Sequence, residues 1–210
     1  MRLKQPTPSF SLAAILNQMA DELDASTKPP DQLKPTTPAE FMDLFPEFAG
    51  ESWDGWRAIL GRITPSVKEF YAMVGRGAGK SRIVAIIAGS YATRIHRPIL
   101  GENIYVGVFA PDRKQARVTF RYIIGLLKGQ PKLAAMIVAE TKESIELSNG
   151  VVVEVITANT AAPRARAYAL AIIEEAAFLP TADSSNPDSE LVTALGPGLA
   201  RVPGHLLCVV

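Results

Sequence analysis

From residue 51 to the C-terminus, short runs of apolar residues alternate with longer stretches whose apolar positions recur every three or four. The runs have the pattern of buried strands, and the longer stretches that of amphipathic helices. Trp53, Trp56, Ile59 and Leu60 fit one helix face, and residues 69–74 read as a strand. Residues 80–95 read as a helix that can bury Ile83, Ile86, Ile87 and Ala88. A strand at 103–110 and a helix at 112–128 follow. Strands at 143–147 and 151–157 flank Ser148-Asn149-Gly150, and Asn-Gly is a strong hairpin signal. Residues 169–174 form an apolar strand, 188–199 a helix and 205–210 a last apolar strand. Apolar strands separated by amphipathic helices predict an α/β fold, a mostly parallel sheet covered on both faces, with the hairpin as an antiparallel addition.

Residues 1–50 break this pattern. Seven of the 16 prolines lie there. Ser9 can cap a helix over 10–24 that carries Leu12, Ile15, Leu16, Met19 and Leu23 on one face. Residues 26–38 have linker composition, and a short helix at 38–45 presents Phe41, Leu44 and Phe45. The expected organisation is a Pro-rich helical arm at 1–50 and one domain at 51–210. The arm has two available partners, its own domain or a neighbour.

Composition narrows the chemistry. The 210 residues are 48% hydrophobic, enough for one sizeable core. Lys plus Arg is 22 and Asp plus Glu 21, a net charge of +1 that excludes a uniformly basic coating protein but not a local basic face. The single cysteine, Cys208, excludes a disulfide framework and a cysteine-rich zinc site. Two distant histidines, His96 and His205, exclude a multi-histidine metal site. No apolar run is long enough to predict a membrane span, and the N-terminus does not read as a secretory signal.

The informative stretch is Val74-Gly75-Arg76-Gly77-Ala78-Gly79-Lys80-Ser81, placed between a predicted strand and helix. That context is the one a phosphate-binding loop requires. Glycines let backbone N–H groups approach phosphate oxygens, and the helix N-terminus adds a positive dipole end. Lys80 can reach terminal phosphates and Ser81 can ligate Mg²⁺. Val74 stands where the general pattern has its first glycine, and Arg76 adds a cation inside the loop. About ninety residues on, Leu170-Ala171-Ile172-Ile173-Glu174-Glu175 ends a buried strand in two carboxylates. Glu174 is the metal-side candidate and Glu175 the group to orient or deprotonate water. The expected binding set is therefore Gly75, Arg76, Gly77, Ala78, Gly79, Lys80, Ser81 and Arg82, with Glu175, Lys80 and Arg76 catalytic and Ser81 and Glu174 on the metal.

These motifs, in this order, resemble the ATPase domain of the large terminase subunit, the DNA-packaging motor of tailed bacteriophages. The resemblance runs from about Trp53 to the C-terminus. Gly75–Ser81 looks like that family's variant Walker A loop, and Ile172-Ile173-Glu174-Glu175-Ala176-Ala177-Phe178 is similar to its Walker B strand and turn. Ala110-Pro111-Asp112-Arg113-Lys114-Gln115-Ala116-Arg117, the hairpin around Ser148-Asn149-Gly150, and Ser185-Asn186-Pro187-Asp188 continue the likeness. It implies a P-loop NTPase three-layer α/β/α sandwich and ATP and Mg²⁺ as cofactors. It also implies translocation of double-stranded DNA into a procapsid from the host cytoplasm. A ring of subunits, a small terminase subunit and a portal protein are the implied partners.

Two positions depart from the family pattern: Glu174 replaces an aspartate, and Pro163-Arg164-Ala165-Arg166-Ala167 replaces a stretch that often holds Arg-Gly. Arg164 or Arg166 can sense nucleotide or be a solvated loop residue. Leu206-Leu207-Cys208-Val209-Val210 resembles the strand before the family's coupling motif, so the resemblance implies a longer protein with a nuclease domain. From the residues alone, a different P-loop ATPase, a kinase, or an inactive nucleotide-binding fragment also remains open.

Other residues carry weaker signals. Arg113, Arg117 and Arg121 recur every four positions and Lys128 returns to their side, a stripe that suits phosphates or plain solvent. Ala116, Phe120, Ile123 and Leu127 form another face. Trp53, Trp56 and Arg57 precede the loop, where Trp56 can stack on a base or pack in the core. Cys208 reads as a small buried hydrophobe.

Overall fold

The computed structural model describes residues 37–94, 101–158, 166–179 and 187–210, all within the unit Leu33–Val210. The helix expected at 10–24 lies outside these residues, as do His96 and Arg164.

Seven strands form one sheet: β1 (Glu69–Tyr71), β2 (Ile104–Ala110), β3 (Ile137–Glu140), β4 (Ser144–Leu147), β5 (Val151–Thr157), β6 (Ala167–Ile173) and β7 (Leu206–Val209). Their spatial order is β1-β7-β6-β2-β5-β4-β3. The first five in that order are parallel; β4 and β3 add on as an antiparallel edge. Strands β2 and β6 are apolar almost throughout because both faces are covered.

The helices are α1 (Pro38–Met42), α2 (Asp54–Leu60), α3 (Lys80–Ala92), α4 (Arg113–Gly129), α5 (Pro131–Ala134) and α6 (Pro187–Ala200). Helices α3 and α4 cover one face of the sheet and α6 the other, giving two buried clusters. This is the three-layer α/β/α arrangement expected. Helix α3 is buried on every side from Ile83 to Ala92, because α1 packs over it. Phe41 and Met42 of α1 are fully buried, and Phe45 and Phe48 extend the same cluster. Residues 38–48 thus sit on their own core. The expected α2 face holds only in part. Leu60 is buried, but Ile59 is 43% exposed.

The hairpin does more than turn the chain. Asn149 Nδ2 donates to the carbonyls of Ala92 (2.8 Å) and Arg94 (3.1 Å), so the turn also caps the end of α3. Gly150 takes the positive φ the turn requires.

Candidate functional site

Because β1, β7 and β6 run parallel, the ends of β1 and β6 emerge on one edge of the sheet with β7 between them. The loop after β1 then meets the acids after β6. This is where open α/β sheets place ligands. Gly77 and Gly79 have φ of 79° and 80°, and Gly79 is the N-cap of α3. The loop reverses there, and Lys80 and Ser81 leave on the first turn of a 13-residue helix.

Lys80 Nζ forms an ion pair with Glu175 Oε1, both groups half-buried. Ser81 Oγ donates to Glu174 Oε1 at 3.5 Å. The other oxygen, Glu174 Oε2, accepts from Thr119 Oγ1 on α4 at 2.6 Å. Glu174 is fully buried, and burial pushes its carboxyl above the ordinary value. Hydrogen bonds from Thr119 and Gln115 and the charge of Lys80 pull it back down. Consecutive side chains of a strand point to opposite faces. Glu174 and Glu175 reach one site because Glu175 leaves the extended conformation, with φ 54° and ψ 44°.

The site faces a cavity of about 950 Å³, lined by the loop from Val74 to Arg82 and by Trp53, Trp56, Tyr122, Glu175 and Phe178. Every residue of the expected binding set borders it; of the acids Glu175 does, while Glu174 lies beneath. Arg76 is exposed, and no ion pair engages it among the described residues. Arg82 stands over the Tyr122 ring at 6.0 Å. Trp56 Nε1 donates to the Ala78 carbonyl at 2.8 Å. The Trp53 ring lies so close to Gly79 that a Cβ there would meet it at 2.9 Å. Arg57 binds Asp43 (2.8 Å), Asp54 (2.9 Å) and the Phe48 carbonyl (2.9 Å), and so holds the segment bearing both tryptophans.

The donor set suits a hard divalent cation. Ser81 Oγ and Glu174 offer one neutral and one anionic oxygen, the kind of sparse set Mg²⁺ takes while keeping phosphate and water ligands. Among the described residues no group of three or more His, Cys, Asp or Glu forms a protein-only cage.

Arg166 does not join the site. It precedes β6, at the strand end opposite Glu174, where it pairs with Glu154 and covers the Tyr105 ring at 4.5 Å. Thr119 and Gln115 are site residues that the sequence pattern does not disclose. A threonine on an amphipathic helix carries no signal of its own until the neighbouring strand is placed.

No protein-family model and no curated protein matches the chain. Among solved structures, the large terminase of bacteriophage HK97 is similar with TM-score 0.55 and 18% identity, over 75% of this chain and 32% of that one. A mutant of the large terminase ATPase domain of Thermus phage P74-26 is similar with TM-score 0.51 and 16% identity, over 86% of this chain and 69% of that one. The chain therefore spans about a third of the HK97 protein. At these identities the likeness is one of fold.

Proposed function

We propose that the chain is the ATPase portion of a large-terminase-like packaging motor, hydrolysing ATP with Mg²⁺ to move double-stranded DNA into a procapsid. The observation that carries this reading is the meeting of Lys80 with Glu175, and of Ser81 with Glu174, across more than ninety residues of sequence. The fold shared with two phage terminases supports it.

Lys80 and Glu175 neutralise each other across the mouth of the loop. A polyphosphate entering the loop competes for Lys80 and frees Glu175. The backbone N–H groups of residues 75–81 and the N-terminus of α3 hold the phosphates. Glu175 then accepts a hydrogen bond from the attacking water and orients it toward the terminal phosphorus. Lys80 and Arg76 face the charge that develops on the phosphoryl oxygens. Ser81 and Glu174 would hold Mg²⁺, which neutralises phosphate charge when bound. The working assembly is a ring of subunits in the host cytoplasm, with a small terminase subunit and a portal protein as partners.

Phosphate release with Mg²⁺ and ATP tests the site. Lys80→Ala is expected to lose nucleotide binding. Glu175→Gln is expected to keep binding and lose turnover by roughly 10²-fold or more. Hydrolysis indifferent to both changes would exclude these assignments. Double-stranded DNA added to the same assay distinguishes a motor, whose rate responds, from a kinase, which transfers phosphate to an acceptor.

A further inference from the structure

Ala78 lies between two glycines with positive φ, Gly77 and Gly79. A peptide followed by glycine can rotate between two orientations at little steric cost, because glycine accepts either sign of φ. The carbonyl and N–H of a trans peptide point in opposite directions. One orientation therefore offers the Gly79 N–H at the start of α3, and the other puts a carbonyl oxygen there. Only the first suits a phosphate. The Gly79 N–H has no hydrogen-bond partner among the described residues, so it is available to a ligand.

What selects the orientation is Trp56. Its indole N–H takes up the Ala78 carbonyl at 2.8 Å. The Trp53 ring closes on Gly79 from the side, itself stacked edge-on against Phe48 at 4.9 Å. The three contacts of Arg57 fix the short helix that carries Trp56. We infer that Trp56 is a positioning residue whose indole N–H latches the Ala78–Gly79 peptide in its phosphate-accepting orientation. The inference rests on the nucleotide site proposed above and adds the group that holds its loop in shape.

Trp56→Phe keeps an aromatic ring and removes the donor. The chain has two tryptophans, both lining the cavity with this loop, so the emission of Trp53 still reports binding in the variant. Titration with Mg·ATP is expected to show a Kd raised roughly fivefold, the ratio one neutral hydrogen bond sets. The rate at saturating ATP should stay within about twofold, because the latch acts on the loop and not on the attacking water. A second measurement needs no variant. In ¹⁵N-tryptophan-labelled wild type, the Trp56 indole proton is expected to exchange slowly with solvent, before and after nucleotide. Wild type that binds while Trp56→Phe binds equally well overturns the latch and leaves the site standing. Wild type that binds no nucleotide overturns both. A Trp56 indole proton that exchanges as fast as a free one overturns the latch even if the variant does not fold.

Discussion

Glu175 is the one non-glycine residue with positive φ among those described, and it sits where two successive carboxylates must reach the same site. A left-handed turn at a side chain costs about 1–2 kcal/mol. The return is that Glu174 faces Ser81 and Thr119 while Glu175 faces Lys80. The pair of acids is legible in the sequence; the turn that joins their aims is not, since nothing in Glu-Glu-Ala-Ala favours positive φ. Thr119 stays hidden for a similar reason. Its role depends on α4, packed over β5 and β2, reaching the residue that follows β6, which local pattern does not encode. Cys208 was legible as a buried hydrophobe, and it gives a pH prediction. Burial, and next the charge of Glu174, push its thiol well above the ordinary value. Unfolded, the thiol ionises above about pH 8.5. Above that pH the unfolded state binds fewer protons than the native state, so stability present at lower pH is lost as pH rises, at about 1.4 kcal/mol per unit. Urea denaturation between pH 8 and 10 should show this slope in wild type and a shallower one in Cys208→Ala. Tyr91 and Tyr168, also pushed up by burial, add to both proteins alike. Equal slopes would mean that the native thiol meets water.

Elements with strong periodicity appear where the pattern puts them. Strands β2, β5 and β6 and helices α3 and α4 have boundaries close to those expected. Their signals are long and their faces buried. The missed strand is β3, whose Ile-Val-Ala-Glu has no alternation because it is an edge; Val138 is 65% exposed there. Helix α5, at four residues, is too short to show a period. The most consequential packing also escapes local reading. Gly89, inside the last turn of α3, looks like a weak point that alanine would improve by about 1 kcal/mol. Against this, a Cβ at Gly89 would meet the Phe41 ring at 2.7 Å, and Phe41 is fully buried between α1 and α3. The ring has no exposed side to move toward, and overpacking of this kind costs about 1–3 kcal/mol. Gly89→Ala is therefore expected to lower the unfolding free energy, and Gly89→Ala with Phe41→Leu to recover part of the loss. A stabilised single variant would show that α1 is not seated on α3 in solution.

At the scale of the whole molecule, a net charge of +1 hides an uneven surface. Of the stripe expected on α4, Arg113, Arg117, Arg121 and Lys128 are all exposed, but Lys128 pairs with Glu140 at 2.7 Å. Lys114, Arg117, Arg121 and Lys142 instead line one groove of about 1240 Å³ with Asp112 and Glu140. Both acids there are already engaged: Asp112 caps α4 through the N–H groups of Lys114 and Gln115, and Glu140 holds Lys128. The four remaining cations make no ion pair among the described residues. Thr119, on another side of their helix, serves Glu174. If the chain works on duplex DNA, as proposed, this groove is the surface on which phosphates would lie. Arg117→Glu with Arg121→Glu should weaken duplex binding at least tenfold and flatten its dependence on log salt by about 2, close to one unit per lost phosphate contact. Hydrolysis without DNA should not change, because neither side chain touches Lys80, Ser81, Glu174 or Glu175. Fluorescence anisotropy with a labelled duplex at several salt concentrations measures both quantities. An unchanged salt slope would place the DNA on another face and leave these arginines to solvent.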